Sequence, residues 1–163
     1  MKKITTIMLS LFGCAILFVG CGVSLESNQE QSLKVYSFSG ENNLFSVSNG
    51  VIVLEAKNEI CYGGDLKVIS DKFGDVAAYS TAIYIDGNEK EILLFGGIHD
   101  QTGKTVDVSG NLGKVSGDIL RDSDASKLVG NLWFELRTID LSGGENTYQI
   151  QLETTEVTKK ADN

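Results

Sequence analysis

Leu44-Phe45-Ser46-Val47-Ser48-Asn49-Gly50-Val51-Ile52-Val53-Leu54 is the stretch from which the fold is read. Apolar side chains alternate with serines up to Asn49, and a short β-branched run follows Gly50. Strict alternation marks a strand with one buried face, because successive side chains of a strand point to opposite sides of the sheet. Asn-Gly accepts the positive φ angles of a type I′ turn, so the two runs are expected to pair as a hairpin.

The same pattern extends in both directions. Before this stretch, Val35 and Ser37 alternate with Tyr36 and Phe38, as in a half-buried strand. After it, residues 65–69 form a short strand entered through Gly63-Gly64, and residues 76–85, rich in small and β-branched side chains, form a long one. Asp86-Gly87-Asn88 turns the chain into Lys90-Glu91-Ile92-Leu93-Leu94-Phe95. The consecutive apolar residues of that run predict a central strand covered on both faces.

Residues 96–117 are glycine-rich, with Val106, Val108, Leu112 and Val115 as apolar pins, and predict irregular strand and loop; residues 122–129 suit one helical turn. A second hairpin follows. Leu132, Phe134 and Leu136 share one face and Trp133, Glu135 and Arg137 the other; beyond residues 140–146, Tyr148, Ile150 and Leu152 alternate with Gln149, Gln151 and Glu153. The glycine pairs at 63–64, 96–97 and 143–144 are candidate bulges or turns.

Seven or eight short strands without crossover helices predict an all-β domain at residues 33–156, an antiparallel two-sheet sandwich of immunoglobulin-like or jelly-roll-like kind, with a small closed β-barrel as the runner-up. Residues 157–163 are expected to be a frayed tail. The chain contains no proline, so its sheet edges must be protected by charge, bulges and glycine.

The formal net charge is −8. Lys2 and Lys3 are the only charged residues among the first twenty, so twelve of the 14 basic side chains face all 22 acids in the remainder. Phosphate binding needs a basic face, and this balance argues against a nucleic-acid partner.

Met1-Lys2-Lys3 is followed by a largely apolar run over residues 4–19, the charged and apolar regions of an export signal. The run is short for a spanning helix, and polar sequence resumes at Ser24. Its end, Leu17-Phe18-Val19-Gly20-Cys21-Gly22, resembles the lipobox of bacterial lipoproteins, in which a cysteine after a small residue receives a diacylglyceryl group before signal-peptidase II cuts. Phe18 stands where an aliphatic residue is usual, and Leu11-Phe12-Gly13-Cys14 is a weaker second match.

The resemblance implies a signal peptide at 1–20, lipidation of Cys21, a polar tether at 21–32 and an extracytoplasmic address on the cell membrane. An uncleaved anchor helix is the alternative. Each buried methylene contributes about 0.8 kcal/mol, so two palmitate-class chains hold far more firmly than one. Residues 22–32 give a coil reach of about 17–20 Å. The opening Tyr36-Ser37-Phe38-Ser39-Gly40-Glu41-Asn42-Asn43-Leu44-Phe45, with Gly63-Gly64-Asp65-Leu66, is similar to uncharacterised lipoproteins and exported domains of Gram-positive bacteria with a Phe-x-Gly-Glu opening. That similarity implies fold and location and carries no activity.

With Cys14 removed and Cys21 lipidated, Cys61 is left alone, expected as a small buried hydrophobe, with an exposed redox or intermolecular thiol as the alternative. His99, the only histidine, sits in a predicted turn and would need Asp100 or Asp107 as orienter and Ser109 or Ser116 as nucleophile to act as a hydrolase base. No Gly-x-Ser-x-Gly elbow supports it.

Asp122-Ser123-Asp124 begins a calcium-loop spacing, but Lys127 and Trp133 stand where glycine and glutamate are required. Trp133, Tyr36, Tyr62 and Tyr84 could line a sugar platform or fill cores. No catalytic, cofactor or metal residue is therefore assigned, and Cys21 is the one assigned site, for lipidation. The expected function is a non-enzymatic interaction domain tethered to a membrane, contacting an envelope protein or glycan. The alternative is a ligand-binding module for carbohydrate, a peptidoglycan fragment or Ca2+.

Overall fold

Alternating burial along β-branched and aromatic runs produces eleven strand segments in the computed structural model, which describes residues 33–55, 58–100, 102–120 and 125–158. They are β1 Lys34–Glu41, β2 Phe45–Leu54, β3 Glu59–Tyr62, β4 Asp65–Val68, β5 Val76–Ile85, β6 Glu91–His99, β7 Gly110–Asn111, β8 Lys114–Gly117, β9 Leu132–Asp140, β10 Glu145–Gln151 and β11 Glu153–Glu156. Two antiparallel sheets result, and they do not close into a barrel. The large sheet runs β11-β1-β2-β3-β8, with β4 on β2 and β7 on β4; the small sheet runs β10-β9-β5-β6. The chain is thus an all-β sandwich, as its alternation predicts.

The core is made where the two inner faces meet. Tyr36, Phe38, Phe45, Val47, Ile52 and Leu66 come from the large sheet; Ile83, Leu94, Phe134, Leu136 and Ile150 come from the small one. Phe45 stitches them together, its ring edge-on to Phe134 at 5.6 Å and to Tyr148 at 6.5 Å. Phe73, on a 3-10 turn at Asp71–Phe73, closes the cluster against Tyr148 at 5.3 Å. Each fully buried aromatic of this kind contributes about 1.5–3 kcal/mol by burial alone, and edge-to-face geometry adds to it. Cys61 is fully buried here as a small hydrophobe, and burial pushes its thiol up to about 12.

The hairpin expected at Asn49-Gly50 does not form. Residues 45–54 are one strand, β2, and Asn49 lies inside it with φ 60. Between the pairs Phe38↔Gly50 and Gly40↔Val47 the register of β1 on β2 slips by one residue, a bulge. Because of that extra residue, Phe45 and Val47 point inward before it and Ile52 and Leu54 after it. Asn-Gly thus spends its left-handed tolerance on a bend within a strand.

The bend crosses the sheet. β2 pairs with β3 through Val51↔Tyr62 and with β4 through Ser48↔Asp65, which sets Gly63-Gly64 opposite Asn49-Gly50. One strand further on, Gly63 N–H donates to Gly113 O at 2.9 Å and Leu112 N–H to Gly64 O at 2.9 Å, between β7 and β8. The Phe38 ring occupies the place a side chain at Gly50 would take, 2.0 Å from its Cβ position. Gly64, at φ 79, brings Ser48 O within 2.0 Å of its own.

Three further expectations are corrected. The run around Ile92 to Phe95 is not a central strand: β6 is the edge of the small sheet, and Phe95 is 67 % exposed. β6 continues to His99, and its bulge falls at Leu93, between Ile83↔Leu94 and Tyr84↔Ile92, so Gly96-Gly97 pairs regularly. Of the tail expected at 157–163, Val157 and Thr158 are tied to β1, Val157 N–H donating to Val35 O at 2.8 Å and Val35 N–H to Thr158 Oγ1 at 2.6 Å, and residues 159–163 lie outside the described residues. The β9–β10 hairpin forms as expected, turned by Asp140, whose Oδ1 accepts from Ser142 N–H and Gly144 N–H.

Candidate functional site

The alternation that turns Phe134 and Leu136 into the core turns Trp133, Glu135 and Arg137 to the opposite side of β9, the outer face of the small sheet. Register then arranges that face in rows. Glu135 lies between Gln149 of β10 and Ala82 of β5, with Phe95 of β6 beyond; Arg137 lies between Thr147 and Ser80, with Gly97 beyond. Trp133 lies between Gln151 and Tyr84.

Glu135 is the centre of the face. Although on the outer side it is only 5 % exposed, roofed by long neighbours. Lys90 Nζ donates to Oε2 at 2.8 Å, Gln149 Nε2 to Oε2 at 2.7 Å and Arg137 Nε to Oε1 at 2.7 Å. Lys90 also stands 3.8 Å over the Tyr84 ring, and Gln149 Nε2 donates to Tyr84 OH at 3.2 Å. Burial alone would raise the Glu135 carboxyl. The hydrogen bonds from Lys90 and Gln149, the charge of Lys90 and the bond from Arg137 outweigh it and hold the group below its ordinary value of 4.5. Burial first, then Glu135 and Asp86, push the Tyr84 hydroxyl up, against the charge of Arg137.

These contacts fit Glu135 to hold two cations at fixed places on a surface. They also occupy both of its oxygens and keep it ionised. Beside this centre the small residues Ala78, Ser80 and Gly97 leave a groove of about 390 Å3, bordered by Arg137, His99 and Glu145. Arg137 commits Nε to Glu135 while its side chain is 62 % exposed at the groove wall. Arg-carboxylate and Arg-polar contacts are directional, so a guanidinium pinned on one side presents its remaining donors in a set direction.

The residues weighed from sequence are dispersed. His99 ends β6 rather than sitting in a turn, pairs with Ala78 and is exposed. Ser116 lies on β8 in the other sheet, and Ser109 Oγ accepts from Val68 N–H. Asp100 accepts from Thr102, and Asp107 from Ser109 N–H. Among the described residues no hydrogen bond joins His99 to either serine, and no group of three or more metal-ligating side chains converges.

Tyr36 is in the core and Tyr62 on β3; Trp133 and Tyr84 are neighbours across β9 and β5. Cys21, the 1–20 signal, Ser123 and the acids Asp122 and Asp124 lie outside the described residues. Among the described residues no helix is long and apolar enough to cross a membrane.

Sequence reasoning placed Trp133, Glu135 and Arg137 on one face but did not single out Glu135 or its partners. The Glu135↔Gln149 pair follows from the β9–β10 register and was within reach. Lys90 was not, because it arrives from the connection between β5 and β6, 45 residues before Glu135 in sequence. No protein-family model, no curated protein and no solved structure matches the chain.

Proposed function

We propose that the chain is a lipid-anchored extracytoplasmic lipoprotein whose sandwich is a non-enzymatic interaction domain, with the outer face of the small sheet as its contact surface. The membrane address rests on the lipobox at Cys21. The observation that carries the contact surface is the Glu135 centre, which holds Lys90 over the Tyr84 ring on one side and Arg137 at the groove on the other. Binding surfaces gain from groups ordered before the partner arrives, since less side-chain entropy is lost on association. Arginine, tryptophan and tyrosine are the residue types that most often dominate contact energy, and Arg137, Trp133 and Tyr84 all stand on this face.

The test has two arms on the full chain. Mass spectrometry of membrane-extracted protein should find the mature N-terminus at Cys21 carrying acyl chains; an unmodified thiol there sinks the anchor. A photo-cross-linker at Thr147, on the groove wall, should trap an envelope protein in intact cells, and Arg137→Glu should abolish the adduct. Equal trapping by the variant removes the face from the interaction.

A second reading, a carbohydrate or peptidoglycan-fragment site on the same face, is favoured by one observation. Trp133, the single tryptophan, is half-buried on the outer face beside Gln151 and Tyr84 and is not in the core. Titration with soluble peptidoglycan fragments would then shift its emission, and an unchanged spectrum to millimolar ligand would dismiss that reading.

A further inference from the structure

Strand register fixes what surrounds the groove on the outer face of the small sheet. One row across β10, β9, β5 and β6 reads Thr147, Arg137, Ser80 and Gly97, and the next reads Glu145, Ile139, Ala78 and His99. Ser80, Gly97 and Ala78 are small, so space is left above them, and Arg137 and Glu145 border it. Its volume of about 390 Å3 is that of a small-molecule site, for which about 300–1,000 Å3 is usual.

The two bordering charges are of opposite sign and are left for a third party. Arg137 and Glu145 stand on adjacent strands one row apart, a diagonal pair whose separation in such a sheet is about 7–8 Å. Among the described residues they form no ion pair with each other: Arg137 is bound through Nε to Glu135, and Glu145 is in no ion pair. The Nη groups of Arg137 make no hydrogen bond among the described residues, and Glu145 is exposed.

Charge decides what fits between them. The chain carries a net charge of −8, which opposes a ligand that is an anion alone, and a ligand that is a cation alone would be repelled by Arg137. A molecule with both charges and no net charge meets neither objection. An α-amino acid has a carboxylate and an ammonium on one carbon. The carboxylate matches a guanidinium, which can grip it with two parallel N–H···O bonds, and the ammonium offers three donors to the Glu145 carboxylate. Ala78, Ile98 and Ile139 add aliphatic surface to the groove, the two isoleucines being 51 % and 40 % exposed.

We infer that this groove binds a free α-amino acid with an aliphatic side chain, its carboxylate on Arg137 and its ammonium on Glu145. The inference rests on the outer face of the small sheet being the contact surface and goes beyond it, because a bound amino acid takes the Arg137 donors that a partner would use.

The experiment is titration calorimetry of the full chain in detergent with L-leucine and D-leucine. At least one enantiomer should bind. Leucinamide, which lacks the carboxylate, and N-acetyl-leucine, which lacks the ammonium, should each bind about tenfold more weakly or worse. Glu145→Gln should weaken leucine by a similar factor and leave N-acetyl-leucine unchanged, whereas Arg137→Gln should weaken leucine and leave leucinamide unchanged. Glu153→Gln, on β11, should alter none of these.

The two leucine derivatives probe the same contacts on the unaltered protein, so the outcome does not depend on a variant folding. The inference is overturned if neither enantiomer binds up to millimolar concentration, if the derivatives bind as leucine does, or if Glu145→Gln binds leucine like the wild type. The cross-link at Thr147 separates this from the contact surface: a retained cross-link without leucine binding removes only the amino acid, and leucine binding without a cross-link removes only the protein partner.

Discussion

The large and the small sheet are built from similar residue types and differ in where their extra residues fall. In the large sheet the irregularities line up: the bulge at Asn49 of β2, the Gly63-Gly64 break between β3 and β4, and the Leu112-Gly113 break between β7 and β8 lie side by side. That sheet bends as a unit along a line of glycines. In the small sheet the bulges are separate, at Leu93 on β6 and near Val76 on β5, and the strands between them run long and regular. Regular strands keep successive outer-face residues in rows, so the sheet with little bending is the one that can assemble Glu135, Arg137 and Gln149 into a fixed group, which Lys90 joins from beyond the Leu93 bulge. Curvature and display are divided between the two layers.

The two layers are coupled most strongly through their shared core. Phe45→Ala removes the ring that touches Phe134, Phe73 and Tyr148 across the layers and should cost about 3–5 kcal/mol, read by urea denaturation. A loss near 1 kcal/mol would mean that the layers hold together without it. Along the bend, Gly64→Ala meets Ser48 O at 2.0 Å in addition to its positive φ, and should cost about 3 kcal/mol or fail to fold. Gly143→Ala, in the β9–β10 turn at φ 86 with open space around it, should cost only about 1 kcal/mol. Equal losses at the two glycines would deny the bend any special constraint.

On the display side, Glu135→Gln leaves Lys90 and Arg137 without their shared anion and should cost roughly 1–3 kcal/mol near neutral pH. The folded carboxyl lies below its ordinary 4.5, so its contribution is complete above that value and fades as pH falls through the folded value. The gap in melting temperature between wild type and variant should therefore narrow below pH 4.5; a constant gap would assign the loss to packing. The smallest effect belongs to Phe95→Lys, which, at a side chain 67 % exposed, should move unfolding stability by no more than about 0.5 kcal/mol.

How much of this was legible follows from parity. In a hairpin turned at Asn49-Gly50, Val47 stands opposite Ile52 and Phe45 opposite Leu54, all four on one face. In the bulged strand that actually forms, the same four side chains again share the inner face. Burial pattern therefore serves both structures equally, and the local turn preference of Asn-Gly decided wrongly. What selects the strand is β1 on one side and β3 with β4 on the other, partners that a local reading does not see. The same blindness made β6 a central strand: consecutive apolar residues signal cover on both faces, but whether a strand has one neighbour or two depends on where the rest of the sheet runs out.

The sequence by itself determined the class of fold, the strand span of β5, the β9–β10 hairpin and the two faces of that hairpin, because alternation with period two is a local property of the chain. Only the tertiary structure decided the order of strands, the bend through three glycine-containing segments, the exposure of Phe95 and the arrival of Lys90 beside Glu135. Those depend on contacts between residues far apart in sequence, and hydrophobic burial, being non-directional, does not say which distant partner will provide them.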